Sequence, residues 1–165
     1  MKKSVVAGLL LATVCATAAM AGVIEDRQAI MKSFGGTGRT LGGMANGTTP
    51  YDKAVADAQL QIIVDGSAKL PALFPAGSDQ STDAVKTAAL PAVWSDSASF
   101  AAAAAKINAD AKAAMGATDA ATFKVAYAAV QGDCGGCHRT FRAAPQRGGA
   151  PGGAPGGGAG RGPAQ

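Results

Sequence analysis

Near its C-terminal end this 165-residue chain carries Cys134-Gly135-Gly136-Cys137-His138, two thiols and an imidazole within five positions. The C-x-x-C-H arrangement is a signature of covalent haem c attachment. On a helix, positions 134, 137 and 138 share one face, because residues three and four apart are neighbours. The two thiols can then add to the two vinyl groups of one haem while the adjacent imidazole reaches the iron as proximal ligand. One haem c per chain is expected. Other chemistries lack partners: a thioredoxin-like pair belongs on a βαβ pattern, which the chain does not show. A zinc site needs a fourth ligand, and beyond residue 21 there is no other cysteine or histidine. A 134–137 disulfide would close a tiny loop for little gain.

The elements that must position these groups read as helices. Val23, Ile24, Ile30, Met31, Phe34, Leu41 and Met44 keep helical spacing, although glycines 35, 36, 38, 42 and 43 weaken the propensity. Either this helix frays after Phe34 or something packs closely on its backbone. Thr49-Pro50 predicts the next start, with Thr49 as N-cap and an apolar face of Ala54, Val55, Ala58, Ile62 and Leu70 that ends at Pro71. A Pro/Gly-punctuated connection follows, with a short helix over 83–90. A third long helix runs from Ser97 to Met115, with Gly116 as C-cap. A fourth is capped by Thr118, carries Phe123, Ala126, Tyr127 and Val130, and continues past Phe141. Strand alternation and internal repeats are absent. Four such helices predict an all-α fold, an antiparallel four-helix bundle.

Both ends of the chain differ in composition from this middle. Lys2 and Lys3 precede an apolar run from Val5 to Ala19, and Ala19-Met20-Ala21 offers a small-x-small cleavage site. Residues 1–21 therefore read as a signal peptide, with export to the periplasm and a mature start at Gly22. The competing lipoprotein cleavage at Cys15 is disfavoured by Val14 before it. From Arg147 to Gln165 the chain is Gly, Ala and Pro with two arginines and one glutamine. Such a tail cannot bury enough surface to order itself. The domain is thus 22–146, and it holds 11 basic and 11 acidic side chains. The formal charge of +4 belongs to the ends, which removes the electrostatic case for nucleic-acid binding.

Several further pieces stand in a fixed order: Arg27-Gln28-Ala29-Ile30-Met31, then Leu73-Phe74-Pro75-Ala76-Gly77-Ser78, Val93-Trp94, Phe100, the haem motif and Phe141-Arg142. Together they resemble the class II c-type cytochromes, the family of cytochrome c' and low-spin relatives such as cytochrome c-556. The resemblance implies a four-helix bundle with covalent haem, and an electron carrier rather than an enzyme, working with redox partner proteins. It also implies dimerisation through the first two helices, an interface that glycines 35 to 43 leave open here. A haem peroxidase is disfavoured because the chain has no distal histidine.

The sixth coordination position separates the functions within that family. His138 is the only histidine, so a second histidine ligand is excluded by counting. Met31, Met44 and Met115 are the methionines beyond the leader. In the family the residue four after the first-helix arginine faces the distal side of the haem. An apolar residue there leaves five-coordinate iron, and a methionine resembles the six-coordinate c-556 pattern. Here that residue is Met31. A thioether opposite histidine raises the reduction potential and closes the site to small gases. The resemblance also implies that Arg27, with Gln28, pairs with a haem propionate, since a partly buried carboxylate needs a donor. Arg142 lies one helical turn beyond His138, near the proximal imidazole or against the helix-terminal carbonyls. The alternative function is a five-coordinate protein that binds nitric oxide or carbon monoxide.

Overall fold

The computed structural model describes residues 3–81 and 85–144, with side chains from Gly22 onward. The expected leader lies outside the described side chains, and the expected tail lies outside the described residues. Five α-helices follow in chain order among the described residues: α1 (Lys3–Asn46), α2 (Lys53–Lys69), the single turn α3 (Ala92–Ser95), α4 (Ser97–Ala114) and α5 (Ala120–Phe141), with a 3-10 turn over Leu70–Leu73 directly after α2. The described residues contain no strand, only an isolated antiparallel bridge between Ala89 and Arg142.

Each long helix packs on its neighbours in a ring, α1 on α2, α2 on α4, α4 on α5 and α5 on α1. The contacts run antiparallel throughout. Thr37 Oγ1 donates to Gln59 Oε1 between α1 and α2, while Gly66 lies against Ile30 and Phe34. Lys106 bridges α4 to Asp133 of α5 at 2.9 Å, and Phe100 meets Phe141 with ring centroids 5.3 Å apart. The buried stripes explain the assembly. On α5 Phe123, Tyr127, Val130 and Phe141 are buried, and on α4 Phe100, Ala104, Ile107, Ala111 and Ala114. On α4 these recur at spacings of three and four, and on α5 the eleven-residue step from Val130 to Phe141 keeps the same phase, which holds each set on one face.

α1 is unbroken through its glycines, so it does not fray after Phe34. Close packing on its backbone is met at Gly38 and Gly43, whereas among the described residues nothing lies within 4 Å of a Cβ at Gly35 or Gly42. Gly38 lies under the Tyr127 hydroxyl, which donates to Gly38 O at 3.5 Å. The helix ends at Gly47, whose φ of +79° suits a residue without Cβ, and Thr49 N donates back to Gly43 O.

Several local expectations are corrected. Asp52, not Thr49, caps α2, its carboxylate accepting from Val55 N at 3.0 Å, and Asp119, not Thr118, caps α5. In each case the carboxylate sits one to three residues nearer the helix, where it reaches the free N–H groups. The buried face of α2 is Ala56, Leu60, Ile63, Val64 and Ser67, whereas Val55 and Ile62 are 40% and 39% exposed. Ile62-Ile63-Val64 is apolar on three successive positions, so spacing alone leaves the phase undetermined. Residues 85–90 are not helical, the short helix lying at α3 instead, and residues 82–84 are outside the described set. α5 stops at Phe141, because Arg142 turns extended and pairs with Ala89.

Two stability predictions follow from this packing. A Cβ at Gly66 would lie 2.5 Å from Phe34 Cε1. Gly66→Val should destabilise by about 1–3 kcal/mol through overpacking, and less so in a Phe34→Ala background. Equal losses in the two backgrounds, measured by urea unfolding, would contradict the contact. Asp119 accepts from the backbone and side chain of Thr122, which holds its carboxyl below the usual carboxylate range. A depressed folded pKa contributes stability above the unfolded value of about 4, and that contribution is lost as pH falls through the folded pKa. Asp119→Asn keeps a capping oxygen without the charge. Its melting temperature should therefore fall less steeply than wild type below about pH 4, and equal acid slopes would contradict this.

Candidate functional site

The inward stripe of α5 passes through both motif cysteines. Cys134 and Cys137 lie between Val130 and Phe141 at the same three-and-four spacing, so the thiols occupy core-facing positions and His138 stands beside them. Both thiols are free and half-buried. Burial pushes both up from the usual thiol range, and the charge of Asp133 adds to this at Cys134. His138 is held below the usual imidazole range by burial, then by the charge of Arg142. The neutral imidazole favoured at pH 7 is the form that binds a metal.

Two cavities meet at this helix face. One, of about 390 Å³, is lined by Arg27, Gln28, Met31 and Lys32 of α1, by Leu70, Phe74, residues 86–89, Val93 and Phe100, and by the end of α5. The other, of about 540 Å³, runs deeper, past Phe34, Gly35, Gly38, Ile63, Ile107, Tyr127, Val130 and Cys134. Met31, Leu70, Cys137, His138 and Arg142 line both. The hydrophobic interior divides along the same line. One apolar cluster centres on Leu60, Ile107 and Phe123, a smaller one on Val93, Phe100 and Phe141, and Cys137 touches both. A large flat apolar group with two reactive carbons at its edge fits between these clusters, so the residues present fit a haem. The volumes lie in the range of ordinary cofactor pockets. No carboxylate lines either cavity among the described residues, whereas Arg27, Lys32, Lys86 and Arg142 do, which suits a ligand with acidic substituents.

The expected methionines separate clearly. Met31 is half-buried on the cavity-lining face of α1, between Arg27 and Phe34. Met44 is buried in the larger cluster, and Met115 packs against that same cluster. Neither lines a cavity at the motif.

Arg27 is buried, and its neighbours come from a distant part of the chain. Nη1 donates to Leu73 O and Ser78 Oγ, both at 3.3 Å, and Nη2 to Ser78 O and Thr87 Oγ1, both at 2.8 Å. Its guanidinium lies 4.4 Å from the centre of the Phe74 ring, a cation–π distance. Burial lowers its pKa. Gln28 Nε2 donates to Lys86 O at 2.6 Å. Arg142 N donates to His138 O at 3.2 Å, and its side chain lines both cavities. Trp94 Nε1 donates to Pro75 O, and its half-buried ring packs against the smaller cluster.

Sequence reasoning did not single out Lys32, Leu70, Lys86 or Thr87 as lining residues. Lys32 adjoins Met31 and was within reach of a charge-pattern reading. Thr87 carries no local signal, because its partner Arg27 is sixty residues away. Beyond Phe141, Leu90 N donates to Phe141 O and Ala143 N to Ala88 O, which ties the connection's end to the chain beside His138.

Comparison with known proteins agrees with this geometry. The family model described as Cytochrome C' matches residues 22–142. A cytochrome c' of Rhodopseudomonas palustris is 41% identical over 139 residues, covering 84% of this chain and 93% of the relative. A cytochrome c-556 of Agrobacterium fabrum is 35% identical over 143 residues, covering 85% and 94%. The solved structure of cytochrome c' from Rhodopseudomonas palustris superposes with a TM-score of 0.70 at 43% identity, covering 74% of this chain and 97% of that one. The chain belongs to the cytochrome c' family of class II c-type cytochromes, electron-carrier four-helix bundles with one covalently attached haem c per chain.

Proposed function

We propose that this cytochrome is a periplasmic electron carrier whose haem is attached through Cys134 and Cys137 and ligated by His138 and Met31. The observation that carries the reading is that Met31, alone among the methionines beyond the leader, lines the same two cavities as His138. When bound, the haem supplies one-electron exchange between ferric and ferrous iron. Met31 would supply a sulfur ligand in addition to the imidazole of His138, keep coordination similar in both oxidation states, and exclude exogenous ligands. Arg142 favours the neutral imidazole. Gln28 and the rim lysines Lys32 and Lys86 supply donors to acidic groups on the cofactor, while the terminal nitrogens of Arg27 end on Leu73, Ser78 and Thr87. Export rests on residues 1–21 as a leader, and the family match begins at residue 22, where cleavage would leave the mature chain. No helix among the described residues is long and apolar enough to cross a membrane.

The second reading, a five-coordinate protein that binds nitric oxide or carbon monoxide, is favoured by the relative at 41% identity, which is named cytochrome c'. Absorption spectra of oxidised and reduced protein, with and without carbon monoxide, separate the two. The carrier reading requires a low-spin ferrous form that leaves carbon monoxide unbound at neutral pH. A high-spin ferrous form that binds it readily supports the second.

A further inference from the structure

We infer that Arg27 is a positioning residue that braces the connection between Leu73 and Thr87 as one wall of the haem cavity, an inference resting on the haem site proposed above. Four hydrogen bonds from its two terminal nitrogens end on backbone oxygens and hydroxyls of that connection. None ends on a carboxylate, and a buried guanidinium without an acid partner is stable only where its donors are satisfied in this way. The acceptors are themselves fixed. Ser78 Oγ donates to Pro75 O at 2.8 Å, Thr87 Oγ1 accepts from Ala89 N at 3.2 Å, and Trp94 Nε1 closes on Pro75 O at 3.0 Å.

From Phe74 to Leu90 the described part of this connection has no helix, and its backbone is paired with another segment only at its end, where residues 88–90 meet residues 141–143. Arg27 holds the stretch before that end from α1, with Gln28 one residue on, bonded to Lys86 O. The braced segment supplies Phe74, Thr87, Ala88 and Ala89 to the cavity lining, and Arg27 lies on the same face of α1 as Met31, one turn before it. The brace therefore sets how far the connection stands from the group that Met31 and His138 face.

Hydrogen exchange on the holoprotein, read together with its ferric and ferrous absorption spectra, tests this. Arg27→Met keeps the length of the side chain and removes its donors. Amides of residues 74–81 and 85–90 should then exchange at least tenfold faster, with those of α2 and α4 unchanged, and the haem bands should shift. Thr87→Val leaves the guanidinium in place and should give the same pattern more weakly. If Arg27→Met does not accumulate, Thr87→Val and Ser78→Ala carry the test.

Wild-type exchange across 74–81 and 85–90 in these variants would overturn the brace, whatever the spectra. If Arg27→Met then also moved the pH dependence of the reduction potential, Arg27 would be a propionate counter-ion instead. Faster exchange with unchanged spectra would leave a structural tie only, and would overturn the positioning role at the haem. Failure of Met31 ligation reads differently, since it makes wild-type spectra high-spin without altering exchange in the connection.

Discussion

Met31→Ala is expected to convert a low-spin six-coordinate spectrum into a high-spin one, and to open the ferrous iron to carbon monoxide. The size of the effect follows from competition. If the thioether holds the ligand-accessible state below about 1%, removing it raises apparent affinity for carbon monoxide roughly a hundredfold. The reduction potential should fall at the same time, because loss of an axial thioether removes its preference for ferrous iron. Alanine leaves space rather than a clash on the inward face of α1, so the bundle should remain folded. The same substitution at Met44 or Met115 should leave the spectrum untouched, as neither side chain lines either cavity. An unchanged low-spin spectrum in Met31→Ala, with a changed one in either other variant, would move the ligand to that methionine.

Removing both thiols should have the second large effect. In the Cys134→Ala, Cys137→Ala double variant, haem should be extracted completely by acidified organic solvent, whereas the wild type retains it and each single variant retains it through one bond. The two sites are not equivalent. Cys137 touches both hydrophobic clusters and lines both cavities, while Cys134 lines only the deeper one. Cys137→Ala should accordingly lower the melting temperature of the holoprotein more than Cys134→Ala. Equal losses would mean that attachment to the haem, and not side-chain packing, governs both positions.

The bundle was legible because its stripes are regular. Phe100, Ala104, Ile107, Ala111 and Ala114 on α4, and Phe123, Tyr127 and Val130 on α5, repeat at helical spacing and are buried as that spacing implies. What escaped was phase and punctuation. Ile62-Ile63-Val64 offered two equally apolar faces, and Thr49 beside Asp52, like Thr118 beside Asp119, offered two capping oxygens within a few residues. Only the fit of α2 against α1 and α4, and the reach of a carboxylate to free N–H groups, chose between them.

At the site the motif, Met31 and Arg27 were all visible as residues, and the structure brings them to one pair of cavities. The partners of Arg27 were not visible, because Leu73, Ser78 and Thr87 lie 46 to 60 residues away and carry no pattern that pairs them with α1. The antiparallel pairing of Ala89 with Arg142 was hidden for the same reason: two isolated residues do not alternate.

The connections at the two ends of the bundle differ in length. Gly47 to Asp52 joins α1 to α2, and Met115 to Asp119 joins α4 to α5, whereas residues 70–96 separate α2 from α4 at the end that holds His138. Short loops close at lower entropic cost, and contacts between near neighbours in sequence form early. Assembly should therefore start where Tyr51, Ala117 and Phe123 meet, leaving residues 74–81 and 85–90 to settle last beside Cys137 and His138. That order would keep Cys134 and Cys137 within reach of whatever delivers the haem until most of the bundle has formed, and it makes the long connection the closing act of maturation.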